Sequence, residues 1–276
     1  MKKEALKRLA IAVCGLVLAF WCASAYGQDD YEAEGWEFYF TPYLWLPSMD
    51  VESTVSGITT DIDLSFGDII DKFSIFGLAG RFEVWNGCLG FILDGMYFRA
   101  RGDSKTTAPV ANIATDVFLE QGWLQGNFSY RTPDLPLTTR GKWPSVRLEP
   151  YLGLRWNELT QEIDVSLAGL GPLGLRRTAK LGGSKTYLDP LLGVRIPFRL
   201  IKQLTFAIRG DVGVFGAGSD LAWTALVGID YRPWQLASFK LGYQWYGVDY
   251  ETGSGRDKFG FEGIMQGPWL GFTLNF

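Results

Sequence analysis

Twelve charged side chains recur at alternate positions in otherwise apolar stretches, six of each sign. They are Arg81, Arg147, Arg155, Arg195, Arg209 and Lys240, with Glu83, Asp94, Glu149, Asp189, Asp211 and Asp230. Carboxylates and guanidinium groups in this balance can lock one another in ion pairs, or can line a narrow path that selects small ions. They are poorly placed for acid–base or nucleophilic catalysis, because the chain has no histidine. That removes Ser–His–Asp and Cys–His pairs in their usual form, and most zinc sites. Cys88 stands alone after Asn86-Gly87 and reads as structural. Asp61, Asp63 and Asp68 lack the spacing of a calcium loop and read as solvated loop acids. No residue is therefore assigned as catalytic, cofactor-binding or metal-ligating, and no cofactor is expected.

What positions the charges is a period of two. Leu148, Pro150, Leu152, Leu154 and Trp156 fall on one face, against Arg147, Glu149, Tyr151, Gly153, Arg155 and Asn157 on the other. Leu188, Pro190, Leu192, Val194, Ile196 and Phe198 oppose Tyr187, Asp189, Gly193 and Arg195. Leu204, Phe206, Ile208, Val212 and Val214 oppose Thr205, Arg209, Asp211 and Gly213. Alternation of this kind is the signature of strands with one apolar face. If that face met lipid, an Arg or Lys on it near the midplane would cost about 2–4 kcal/mol, and these strands place none there. A soluble sandwich would show the same alternation, so the ends of the chain decide between the two.

The first 25 residues have the plan of a secretory signal peptide. Lys2, Lys3, Lys7 and Arg8 precede the apolar run Leu9 to Trp21, and Ala23-Ser24-Ala25 supplies small residues at a cleavage site. Cleavage is expected after Ala25, with a second candidate after Gly27. Cys14 and Cys22 leave with the leader, so Cys88 has no disulfide partner in the same chain. The acidic balance of what remains gives no basic face for nucleic acid. At the other end Leu270, Phe272, Leu274 and Phe276 alternate with the small or polar Gly271, Thr273 and Asn275. A last strand that pairs with the first to close a barrel would have this form.

Ten long strands are expected. The first is Trp36 to Leu46, and nine more follow from Phe73 to the last strand, Phe259 to Phe276. Between the first two, Val51 to Val55 and Ile58 to Leu64 are shorter than the roughly 9–11 residues a tilted spanning strand needs. They read as a hairpin outside a bilayer; twelve strands would require both to span. Ser65 to Asp68 reads as one helical turn. Ser104 to Ala111 and the Gly-rich stretch Ala168 to Leu175 read as loops. Short turns at Asn86-Gly87, Arg199 to Gln203 and Pro233 to Gln235, with a longer one at Thr132 to Pro144, fall on the expected periplasmic side. The excursion Pro47 to Lys72 falls outside. Bulges are expected at Pro42, Pro150, Pro190 and Pro268, since proline removes a ladder hydrogen bond. Aromatic girdles are expected from Trp36, Trp85, Tyr130, Tyr231 and Trp234 at one boundary, and Trp45, Tyr97, Trp156, Trp223 and Trp245 at the other.

The terminal Phe with apolar residues at alternate positions before it resembles the C-terminal signature of bacterial outer-membrane β-barrels. The stretches Pro42-Tyr43-Leu44-Trp45-Leu46-Pro47 and Asp61 to Ile70 resemble a group of proteobacterial outer-membrane barrel proteins that brings no catalytic residues to carry over. The resemblance implies an all-β, antiparallel, transmembrane up-and-down barrel of about ten strands, sited in the bacterial outer membrane after export. It implies outer-membrane lipid as surroundings and the barrel assembly machinery as a partner during biogenesis, with Leu270, Phe272, Leu274 and Phe276 as assembly signal. The barrel enzymes that come into question, omptin proteases among them, resemble one another in needing a histidine, which this chain cannot supply. A non-enzymatic barrel with a charge-paired, closed lumen is the expectation, and a narrow ion channel is the alternative. The sequence names no extracellular partner.

Overall fold

The computed structural model describes residues 35–276, apart from 57, 65–66, 68–75, 109–110, 140–141, 171–174 and 214–217. The leader and the helical turn expected at Ser65 to Asp68 lie outside the described residues, but for a single helical residue at position 67.

Ten antiparallel strands close on themselves. In order round the wall they are β1 (Trp36–Trp45), β4 (Phe76–Asn86), β5 (Leu89–Ala108), β6 (Ala111–Tyr130), β9 (Glu149–Leu170), β10 (Leu175–Ile201), β11 (Leu204–Gly213), β12 (Leu221–Tyr231), β13 (Ala237–Thr252) and β14 (Phe259–Asn275). The ring shuts where β1 meets β14, with Tyr39 opposite Asn275 and Trp45 opposite Trp269. Phe38 and Phe276 complete the seam by exchanging backbone hydrogen bonds of 3.3 and 3.0 Å. A closed ring leaves no unpaired strand edge, which is what lipid requires of a β structure.

The edge of β14 is shared. Its second half pairs with β1, and its first half, Phe259 to Gln266, pairs with β2 (Ser48–Val55). β2 turns back into β3 (Ile58–Leu64), so the expected short hairpin extends the wall instead of adding spanning strands. At the opposite end the chain turns tightly. Gly87 and Cys88 join β4 to β5, with Gly87 at φ +56, so the two-residue loop sits one residue later than Asn86-Gly87. Residues 202–203 join β10 to β11, and 232–236 join β12 to β13. The longer connection from β6 to β9 carries the two-residue strands β7 (Leu135–Pro136) and β8 (Ser145–Val146). β8 continues along β10, opposite Phe198 and Arg199.

Alternation sets the two surfaces. On β1, Trp36, Phe38, Phe40 and Leu44 are exposed while Thr41, Tyr43 and Trp45 are buried. Leu152, Leu154 and Trp156, then Leu188, Ile208, Ile229, Leu241 and Leu270, continue the apolar outer belt around the ring. The belt ends abruptly at outward charges: Arg99 pairs with Glu120 at 3.3 Å, and Glu158 and Glu262 are exposed. β5 and β6, each of 20 residues, rise about 65 Å along their length, about twice what a tilted spanning strand needs.

That height corrects two sequence expectations. Ser104 to Ala111 is mostly strand, since β5 runs to Ala108, and the Gly-rich stretch is entered by β9 and left by β10. Outside an apolar belt lipid no longer requires an apolar outer face, so the sequence there can lose the alternation that marks a strand. The prolines carry no bulge: pairing runs without a shift through Pro42, Pro150, Pro190 and Pro268, and each costs one ladder hydrogen bond at most. Trp85 and Trp45 are 0% and 4% exposed, and so belong to the interior. Trp85 falls two residues after inward Glu83, and Trp45 two after inward Tyr43, so strand parity decides against a boundary position.

Candidate functional site in the lumen

The inward faces of the described strands meet in a column of charged and polar side chains. At the short-turn end Arg131 reaches Glu37 at 3.2 Å and Glu149 at 3.6 Å, and its guanidinium lies 3.9 Å from the Trp85 ring. Arg147 reaches Glu149 at 2.8 Å, and Arg199 reaches Asp134 at 3.1 Å. One level deeper Arg195 bridges the wall. It donates to both oxygens of Glu83, at 2.9 and 3.0 Å, and through Nε to Glu149. Trp85 Nε1 donates to the same Glu83, and Lys240 stands 3.6 Å from Asp230.

The next level is knitted across the ring. Arg81 donates to Asp94 through Nη2 at 2.6 Å and Nε at 2.9 Å, Arg209 donates to it at 3.2 Å, and the Tyr43 hydroxyl at 2.7 Å. Arg209 Nε also donates to the Tyr151 hydroxyl, which itself donates to Asp211, both at 2.9 Å. Gly193 makes room for that ring: a Cβ there would stand 2.4 Å from Tyr151 Cζ. Above it Arg155 donates to Asp211, to Gln125 Oε1 and to Thr224 Oγ1. Asp189 accepts from Asn157 and from the Ser219 amide and hydroxyl. Buried charges persist only when paired and hydrogen-bonded in this way.

Higher still the column becomes apolar. Trp45, Met96, Phe98, Leu119, Trp123 and Leu159 pack with Tyr246, Met265 and Trp269. β2 contributes Met49, Val51 and Val55 to the same core, and its Ser53 hydroxyl donates to Gln161 of β9 at 2.7 Å. A hairpin that extends the wall thus also packs across the mouth.

The twelve charged residues singled out by alternation are all buried or partly buried and lie in this column. Alternation missed Glu37, Arg131, Asp134 and Arg199, which extend the ion pairs to the short-turn end. Arg131 was within reach, because it continues the inward parity of Gln125, Asn127 and Ser129 by one residue. Asp134 was not, because it sits in an irregular connection. Of the loop acids, Asp61 and Asp63 lie on β3 opposite Glu52 and Asp50, and Asp68 lies outside the described residues. Cys88 is a free thiol at the β4–β5 turn. Leu270 and Phe276 are exposed on the outer surface, and Phe272 and Leu274 are partly so.

The column leaves one sizeable void, of about 140 Å³, in its short-turn half. It runs from Arg199 and Arg232 at the mouth to Leu226 and Trp269, where the apolar core stops it.

A closed ten-strand antiparallel wall, apolar outside and polar within, is the architecture of bacterial outer-membrane β-barrel proteins. Among solved structures the outer membrane protease OmpT from Escherichia coli matches over 90% of this chain and 100% of that one, with a TM-score of 0.55 and 11% identity. At that identity the likeness establishes the fold alone. Neisserial surface protein A (14% identity, 88% and 100% covered) and the attachment invasion locus protein Ail of Yersinia pestis (13%, 88% and 99%) have TM-scores of 0.32 and 0.27, too low to carry an argument. No protein-family model matches the chain, and no curated protein matches it in sequence.

Proposed function

We propose that the protein is an integral outer-membrane barrel without enzymatic activity, closed to solutes, that holds a tall wall and the β2–β3 hairpin outside the cell. The filled lumen carries this reading: an ion-paired column and an apolar core succeed one another along the barrel. The apolar belt supports insertion in lipid, and the tight turns at one end support the usual orientation with short turns in the periplasm. The absence of histidine speaks against the general acid–base chemistry that barrel hydrolases use. The role left for such a barrel is structural, or contact with partners through the exposed wall.

Liposome swelling tests the closed state. Proteoliposomes holding the refolded protein should swell in isotonic arabinose or glycine no faster than empty ones. Swelling that scales with protein content would favour the second reading, a narrow channel, for which the void at the short-turn end is the supporting observation.

A further inference from the structure

The chain is acidic, with a net charge of −4, yet it gathers cations around the void in its lumen. Eight lining side chains are Arg or Lys and three are carboxylates. The imbalance has a structural origin. Asp94 and Asp211, which hold Arg81 and Arg209, stand behind those guanidinium groups and are not part of the lining. The cations are thus fixed by carboxylates in the wall while the space in front of them is bordered mainly by N–H donors.

Two lining cations are held least, Arg232 at the mouth and Lys240 one level deeper. Lys240 pairs with Asp230 at 3.6 Å. Arg232 is exposed, with its guanidinium 5.9 Å from the Tyr39 ring. Cations lining a recess with low-dielectric walls attract anions more strongly than the same charges on an open surface. The void holds roughly ten times the volume that one water needs, room for a small oxyanion with part of its hydration shell.

We propose that this vestibule is a binding site for small oxyanions, of the phosphate or carboxylate class, entered from the short-turn end and blind at Trp269. The site works as a recess, not a path, because the apolar core behind Trp269 stops the anion. The reading depends on the lumen geometry and not on which membrane holds the barrel.

Isothermal titration calorimetry on the folded full-length mature protein in zwitterionic detergent tests it, with inorganic phosphate and succinate as separate probes at matched ionic strength. Saturable one-to-one binding of either probe is expected, weakening as sodium chloride is raised. Arg232→Gln with Lys240→Gln should weaken it by about tenfold or more, since two of the least compensated charges are lost. Arg232→Gln alone, on an exposed turn, should weaken it in part, which guards against misfolding of the double variant. Lys202→Gln, at the same end but off the lining, should leave it unchanged. No saturable binding of either probe overturns the proposal. So does equal weakening by Lys202→Gln, or undiminished binding by the double variant.

Discussion

Arg155 donates to Asp211 at 2.9 Å in a place where both side chains are shut off from solvent, at 2% and 0% exposure. The residues lie on β9 and β11, so the pair reaches past β10 instead of joining neighbouring strands. Tyr151 and Arg209 share Asp211, and Gln125 and Thr224 share Arg155. Arg209 also donates to Asp94 on β5, four strands round the wall, so the barrel is tied across its bore at the level where charged packing gives way to apolar packing.

Removing one partner leaves the other buried. Arg155→Ala should lower unfolding stability by about 3–5 kcal/mol in detergent, the usual result of stranding a buried charge. Arg155→Met combined with Asp211→Asn should cost less than the single change, because no net charge is stranded. Urea unfolding followed by tryptophan fluorescence checks both. A loss under about 1 kcal/mol for Arg155→Ala would show that water reaches Asp211.

The seam depends on the last residue. Phe276 exchanges backbone hydrogen bonds with Phe38 and places its ring on the outer surface. Deleting Phe276 should lower the amount of folded protein in outer-membrane fractions, seen as loss of the heat-modifiable band on gels. Normal levels of that band would mean that closure does not rely on this residue.

Four acids stand side by side above the belt. Asp249 is opposite Glu262, Glu262 opposite Glu52, and Glu52 opposite Asp61. Like charges directly opposite one another weaken a ladder by about 0.2–1 kcal/mol per pair, so Glu262→Lys should raise stability by a similar amount. The same urea experiment reads it, and destabilisation by Glu262→Lys would show that the row is compensated by a bound cation or partner.

Orientation can be read from the native thiol. Cys88 lies at the β4–β5 turn, among the short turns. A membrane-impermeant maleimide should leave it unlabelled in intact cells and label it once the outer membrane is permeabilised. Labelling in intact cells would invert the barrel.

The sequence already revealed the wall and most of the column, for a physical reason. Within the belt one face must be apolar, so Leu152, Leu154 and Trp156 mark the outside and leave Glu149, Tyr151 and Arg155 inside by parity alone. Above the belt that constraint lapses, and the strand content of residues 102–108 and 111–115 did not show. Nor could parity tell which charges meet: Arg155 finds Asp211 on β11, not Asp189 opposite it on β10, because the bore brings residues of distant strands together. The apolar core was hidden for the same reason. Trp45 reads singly as a boundary residue, and only the closed ring brings it against Trp123 and Met265.

We propose that this lumen does not conduct. Planar-bilayer recording on the purified, refolded barrel tests it most directly. The structure predicts a baseline without steady conductance at ordinary salt and voltage, since ion pairs and the Trp45–Trp123–Tyr246 aromatic stack fill the bore. A steady conductance that changes with Arg155→Ala or Arg195→Ala would contradict the closed lumen and establish an ion path through it.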